Sequence, residues 1–245
     1  MSTRGELRRR GEEMRLKLFG EQPAPLGTLG DEAVYGAIWC RPGLALEDRM
    51  LCTLAALAAV QRLPQLARYI GAALDLGLTP RAVTEVIIQI GIYAGFSASE
   101  EALEVAKGVL GRRNIAMPTD APSNETLDAL SFRGRELLQK LHGARGTQGY
   151  ADPGNAVTGA LYPLAIQYGY GAIWYRPGLE VRQRALVAVA AFTALKLDQV
   201  RKFGQSALNV GLSRTEVIEA IVQTAPYSGF APALNALGAL SEALG

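Results

Sequence analysis

The chain has 245 residues, 25 Lys and Arg against 23 Asp and Glu, a net charge of +2, and 49% hydrophobic residues. This balance excludes a disordered chain, and so small a net charge gives no footprint for nucleic acid. One histidine and two cysteines, Cys40 and Cys52, exclude a multi-histidine metal centre, a four-thiolate zinc site and a disulfide framework; no cofactor is expected.

Taken in order, the elements read as helices almost throughout. The first seventeen residues are densely charged, with Arg8-Arg9-Arg10 followed at once by Glu12 and Glu13. They predict a mixed-charge helix, with no apolar region of the kind an export signal needs. Leu51, Leu54, Ala55 and Ala58 follow helical spacing, and Gly77 stands where a helix should stop. Thr79-Pro80 offers an N-cap with proline at N1, and Ser97-x-x-Glu100 has the form of a capping box. Val187, Ala190, Ala191 and Ala194 repeat the apolar spacing, Gly211 repeats the stop, and Ser213-x-x-Glu216 is a second capping-box pattern. The longest apolar runs, Leu51–Val60 and Ala185–Leu195, are shorter than the roughly 18 residues of a membrane span. A cytoplasmic protein with reduced thiols is expected, with no membrane partner.

The main organising signal is a duplication. Tyr35-Gly-Ala-Ile-Trp39-Cys-Arg-Pro-Gly-Leu44 recurs as Tyr170-Gly-Ala-Ile-Trp174-Tyr-Arg-Pro-Gly-Leu179, identical at nine of ten positions with an offset of 135. Ala73-Leu-Asp-Leu-Gly77-Leu-Thr79 matches Ala207-Leu-Asn-Val-Gly211-Leu-Ser213, and Tyr93-Ala-Gly95-Phe96 matches Tyr227-Ser-Gly229-Phe230, both at 134. One residue is therefore missing from the second copy, near Leu63 and Pro64. Arg10 to Gly20 also resembles Arg133 to Gly143. The expected division is a first repeat over 1–116, a turn-rich linker over 117–124 and a second repeat over 125–245. The small residues on the helix faces allow close approach in a bundle, with the copies paired about a pseudo-two-fold axis.

These motifs resemble the carboxymuconolactone decarboxylase family of the alkylhydroperoxidase D-like superfamily, once per copy. The resemblance implies an all-α fold, a duplicated alkylhydroperoxidase D-like bundle. It also implies a homo-oligomer in which two-copy chains gather as trimers or, alternatively, dimers. Family decarboxylases carry a glutamate where this chain has Ala37 and Ala172, and a histidine where it has Tyr69 and Phe203. The peroxidase branch carries a Cys-x-x-Cys pair, matched here by Arg62 and Gln65, then by Lys196 and Gln199. Neither the usual acid–base pair nor a thiol pair is present.

What remains surrounds the duplicated motif. Arg41 and Arg176 could hold a carboxylate or enolate by a bidentate contact, or could tie down their own loops. Tyr69 is a poor base near neutral pH but a serviceable acid or hydrogen-bond donor; it could equally be a wall residue. Tyr35, Trp39, Tyr170, Trp174 and Tyr175 could line a cavity for a flat ligand, although aromatics at duplicated positions also serve as core. Cys40 stands where the second copy has Tyr175. Glu47 and Asp48 suit a helix N-terminus, with Asp48 a base only if turned inward. His142 matches Phe19 and reads as an exposed helix-end histidine. Tyr69 and Arg41 are the expected catalytic pair; Tyr35, Trp39, Cys40, Asp48, Tyr170, Trp174, Tyr175 and Arg176 are the expected substrate contacts. The expected function is a cofactor-free, non-redox lyase, isomerase or cyclase acting on a lactone, β-keto or polyketide-like small molecule and suited to secondary metabolism. The alternative is a non-catalytic binding or assembly protein on the same scaffold.

Overall fold

The computed structural model describes residues 2–21, 25–148, 152 and 154–244. Two sets of five helices follow one another. The first is α1 (Arg4–Phe19), α2 (Leu46–Ala59), α3 (Leu63–Asp75), α4 (Pro80–Ala94) and α5 (Phe96–Arg112). The second is α6 (Leu127–His142), α7 (Val181–Ala194), α8 (Gln199–Asn209), α9 (Arg214–Ser228) and α10 (Phe230–Leu244). The described residues contain no strand, and the fold is the expected all-α, duplicated bundle.

Helices α2 and α7 form the centre. Each is apolar around most of its circumference, the pattern of a helix enclosed on all sides, and Ala55, Ala56, Ala58, Ala188, Ala190 and Ala191 are fully buried. Alanines bring the two axes together, and α2 packs directly on α7. The outer helices cross over: α9 packs on α2 as well as α7, and α4 on α7 as well as α2. Each half therefore contributes a helix to the other half's core.

The segment carrying the Tyr-Gly-Ala-Ile-Trp motif is π-helical, over Gly30–Trp39 and again over Ala165–Ala172. Such wide turns are uncommon and concentrate at functional sites. Glycine pairs hold each one against the preceding helix. A Cβ on Gly36 would lie 2.1 Å from the Leu7 carbonyl oxygen, and one on Gly11 would lie 1.7 Å from that of Asp31. Gly171 and Gly134 repeat the arrangement against Leu130 and Ile166. Only glycine permits this approach.

The caps follow expectation with one exception. Thr79 accepts from Ala82 N, and Ser213 and Glu216 form a capping box. Ser97-x-x-Glu100 does not, because α5 starts at Phe96 with Gly95 at its N-cap, leaving Ser97 inside the helix. The structure also corrects the register of the missing residue. Arg62 N bonds to Leu57 O at 2.9 Å and Leu197 N to Phe192 O at 3.0 Å, while Gln61 and Lys196 share a positive φ. Leu197, and not Lys196, is the counterpart of Arg62. The deletion falls between there and the Gln65–Gln199 pair.

Candidate active site

A cavity of about 260 Å³ lies in the first repeat. Its wall combines Tyr35 of the π-helical segment, Arg62, Gln65, Arg68 and Tyr69 at the start of α3, and Tyr227 from α9 of the second repeat. Helical spacing explains the α3 face: Gln65, Arg68 and Tyr69 are three and four residues apart and share one side. Tyr227 arrives because α9 crosses over.

The hydrogen bonds in this wall have a direction. An indole N–H can only donate, and Trp39 Nε1 donates to the Tyr227 oxygen at 2.7 Å. Tyr227 in turn donates to the Tyr69 oxygen at 2.9 Å, and Tyr35 is the other phenol neighbour towards which the Tyr69 hydrogen can turn. Trp39 also stacks on the Tyr69 ring, with centroids 5.9 Å apart. Burial, then the neighbouring phenols Tyr227 and Tyr35, raise the Tyr69 pKa well above its ordinary value. Tyr69 is thus held as a protonated phenol, an acid and not a base.

Arg68 supplies the charge. Its guanidinium lies 4.0 Å from the centroid of the Phe19 ring, yet its Nε and Nη2 are buried and have no hydrogen-bond partner. A buried donor pair of this kind is costly unless something completes it, and an anion is the complement of a guanidinium fork.

The other expected residues fall elsewhere. Arg41 lies outside the cavity: it forms a fork with Glu219 of α9 at 2.7 and 3.0 Å, and Glu219 also accepts from buried Arg49 at 2.9 Å. Burial pushes the Glu219 carboxyl up, but Arg41 and Arg49 more than reverse this and hold it below its ordinary range. Arg176 repeats the pattern, pairing with Glu85 at 3.0 Å and with Asp120, while Arg184 reaches Glu85 at 3.1 Å. Both Arg-Pro-Gly units tie the two repeats together. Asp48 pairs with Arg182 at 2.9 Å in another cross-repeat tie. Cys40 is half-buried with Sγ 3.5 Å from the Arg10 carbonyl, and burial raises its thiol pKa. Tyr175 packs on Arg133, 4.9 Å from ring centroid to guanidinium. None of Trp39, Cys40, Arg41, Asp48, Tyr175 or Arg176 lines either repeat's cavity, and Trp39 stands behind the first wall as a donor to Tyr227. Tyr170 and Trp174 line a separate cavity in the second repeat. Arg68 and Tyr227 were not singled out by sequence, although Arg68 adjoins Tyr69 and Tyr227 opens the second Tyr-x-Gly-Phe motif.

His142 corrects its expectation too. It is 2% exposed, with Nδ1 2.6 Å from Ser206 Oγ and Nε2 3.0 Å from the Tyr170 hydroxyl. Its position at the end of α6 faces inward, against α8. Burial, with Lys202 and Arg145 nearby, pushes its pKa down to about 3. The folded state therefore keeps His142 neutral while the unfolded chain takes up a proton below about pH 6.5. The neutral histidine costs nothing at pH 7, and stability falls as the pH drops from about 6.5 towards 3. His142→Phe is expected to flatten this acid limb by several kcal/mol, read from urea unfolding at pH 7 and pH 4. An unchanged difference between the two pH values would contradict it.

A family model for the carboxymuconolactone decarboxylase family matches residues 31–108 and again 160–242. The chain belongs to the carboxymuconolactone decarboxylase family. It is 31% identical over 120 residues to the 4-carboxymuconolactone decarboxylase of Acinetobacter baylyi, covering 44% of this chain and 90% of that protein. It is 24% identical over 122 residues to a nitrosuccinic acid decarboxylase of Metarhizium robertsii, covering 49% and 85%. A crystal structure of a Burkholderia xenovorans protein assigned as a gamma-carboxymuconolactone decarboxylase subunit superposes with a TM-score of 0.56 at 20% identity, over 97% of both chains. That likeness concerns the fold. No described helix is long and apolar enough to cross a membrane, and no group of described side chains is arranged to hold a metal ion.

Proposed function

We propose that this member of the family is a cofactor-free lyase that decarboxylates a small carboxylated molecule in the first repeat's cavity. The observation that carries the reading is Arg68, whose buried Nε and Nη2 have no hydrogen-bond partner and which lines the same cavity as Tyr69. Its fork would anchor a carboxylate that stays on the molecule. The apolar wall at Val34, Leu57 and Pro226 would strip water from the reacting carboxylate. As carbon dioxide leaves, the bonding electrons pass to an adjacent carbonyl or equivalent sink. The Tyr69 hydrogen would meet the oxygen that becomes negative. A volume of about 260 Å³ is below the usual range of about 300–1,000 Å³ for drug-sized ligands. It favours a lactone diacid or β-keto diacid over a polyketide-sized substrate. The decarboxylases among its relatives support the reaction class. Two free thiols fit a cytoplasmic enzyme, and the family resemblance suits a homo-oligomer, trimeric or dimeric.

A panel of small dicarboxylated lactones and β-keto diacids, followed by carbon dioxide release, tests the proposal. Arg68→Ala is expected to raise KM about 10- to 100-fold on the substrate found, the scale of a lost charge-assisted hydrogen bond. Neither cavity is lined by Asp, Glu or His among the described residues, and this favours a second reading, ligand capture without turnover. Saturable binding that depends on Arg68 with no carbon dioxide release would select it.

A further inference from the structure

The second repeat carries an open cavity of about 780 Å³, with Phe96, Leu161, Leu164 and Tyr168 of its wall exposed. Trp174, Phe192 and Phe203 line it from one repeat, and Tyr93 and Phe96 from the other. No charged side chain stands among its described wall residues. Leu197 replaces Arg62. Lys202, the counterpart of Arg68, is outside the wall and directs its ammonium to the Arg145 carbonyl at 3.5 Å.

The Tyr93 hydroxyl is one of the polar groups of this wall, with Tyr162, Tyr168, Tyr170 and Gln199. Arginine can only donate, so the bond from Arg184 Nη1 to Gln89 Oε1 at 3.2 Å fixes which end of the amide faces Tyr93. Gln89 Nε2 therefore donates to the Tyr93 oxygen at 3.0 Å. With its oxygen engaged by the Gln89 amide, Tyr93 has its hydrogen left to give. In the first repeat the equivalent hydrogen passes from Tyr227 to the Tyr69 oxygen. In the second, that oxygen is gone, because the position is Phe203.

We propose that the second repeat's cavity is a separate binding site for a neutral, largely apolar molecule of aromatic type carrying a carbonyl oxygen. That oxygen takes the Tyr93 hydrogen, in the role the Tyr69 oxygen plays in the first repeat. Once a ligand excludes water from the cavity, a donor left without an acceptor is costly, which favours a ligand that brings one. A carboxylate is disfavoured, because the wall offers no cation to repay its desolvation. The volume lies within the usual range of about 300–1,000 Å³ for small-molecule sites. The proposal does not depend on decarboxylation in the first repeat.

The test uses the full chain and a neutral acylnaphthalene fluorophore, 6-propionyl-2-(dimethylamino)naphthalene, whose emission moves to the blue in apolar surroundings. Saturable blue-shifted binding is expected, with 2-acetylnaphthalene displacing the probe about tenfold more effectively than 2-ethylnaphthalene, which has the same shape and no acceptor. 2-Naphthoate should displace it least. Tyr93→Phe should erase the ketone preference, and so should Phe203→Tyr, which restores an internal acceptor. Ala165→Trp should fill the cavity and weaken the probe, while Arg68→Ala should leave its binding unchanged. Absence of saturable binding, equal displacement by ketone and hydrocarbon, or a ketone preference that survives both Tyr93→Phe and Phe203→Tyr would overturn the proposal.

Discussion

Tyr69→Phe is expected to lower kcat for carbon dioxide release by about 10²- to 10³-fold while leaving KM within a few-fold. The ring, its stacking on Trp39 and its edge contact with Phe19 all survive the change. Only the hydrogen aimed at the developing oxyanion is lost, and a preorganised donor of that kind is worth roughly that factor. Tyr227→Phe should cost less, about tenfold. It removes the group that fixes the direction of the Tyr69 hydrogen but leaves that hydrogen present. Because Tyr69 is held protonated well above its ordinary pKa, kcat should show no alkaline fall up to about pH 10. A Tyr69→Phe enzyme with unaltered kcat, or an alkaline limb near pH 8, would remove the phenol from the chemistry.

The largest stability loss is expected at Glu85. It is fully buried, accepts from Arg176 and Arg184, and has Arg81 at 3.2 Å on its own helix. Arg184 is itself fully buried, and burial lowers its pKa against the pull of Glu85. Glu85→Ala removes the compensating carboxylate and leaves that guanidinium stranded, which costs about 3–5 kcal/mol in comparable buried pairs. Glu104→Ala breaks only an exposed pair with Lys107 and should cost less than about 0.5 kcal/mol. Urea unfolding of both variants gives the comparison. A Glu85→Ala loss no larger than that of Glu104→Ala would show that the tie between repeats carries little of the stability.

Local chemistry made much of the fold legible. Gly77, Gly211, Thr79 and Ser213 mark helix ends by rules that act within a few residues, and the duplicated motif exposed the two-fold plan. The family resemblance pointed to Tyr69, which does line the first cavity. The reading faltered wherever the deciding partner was distant in the chain. Arg41 looked like an anion clamp because Glu219, which occupies it, is 178 residues away. His142 looked exposed because Ser206 and Tyr170, its partners, belong to other elements. The π-helical winding of Gly30–Trp39 has no periodic signature. Arg68 became visible only through burial without a partner, which no spacing reveals.

The crossing of α4 and α9 has a consequence for how this protein can vary. In an assembly of identical subunits, a substitution in the shared helix would alter every site at once. Here the tyrosine lent to each cavity is encoded separately, as Tyr93 and Tyr227, and so are its neighbours Phe203 and Tyr69. One chain can therefore keep a charged, hydroxylated chamber on one side of its axis and an uncharged, roomier one on the other. Joining the copies end to end turns a symmetry constraint into a freedom, and the two cavities already differ in volume, charge and hydrogen-bond polarity.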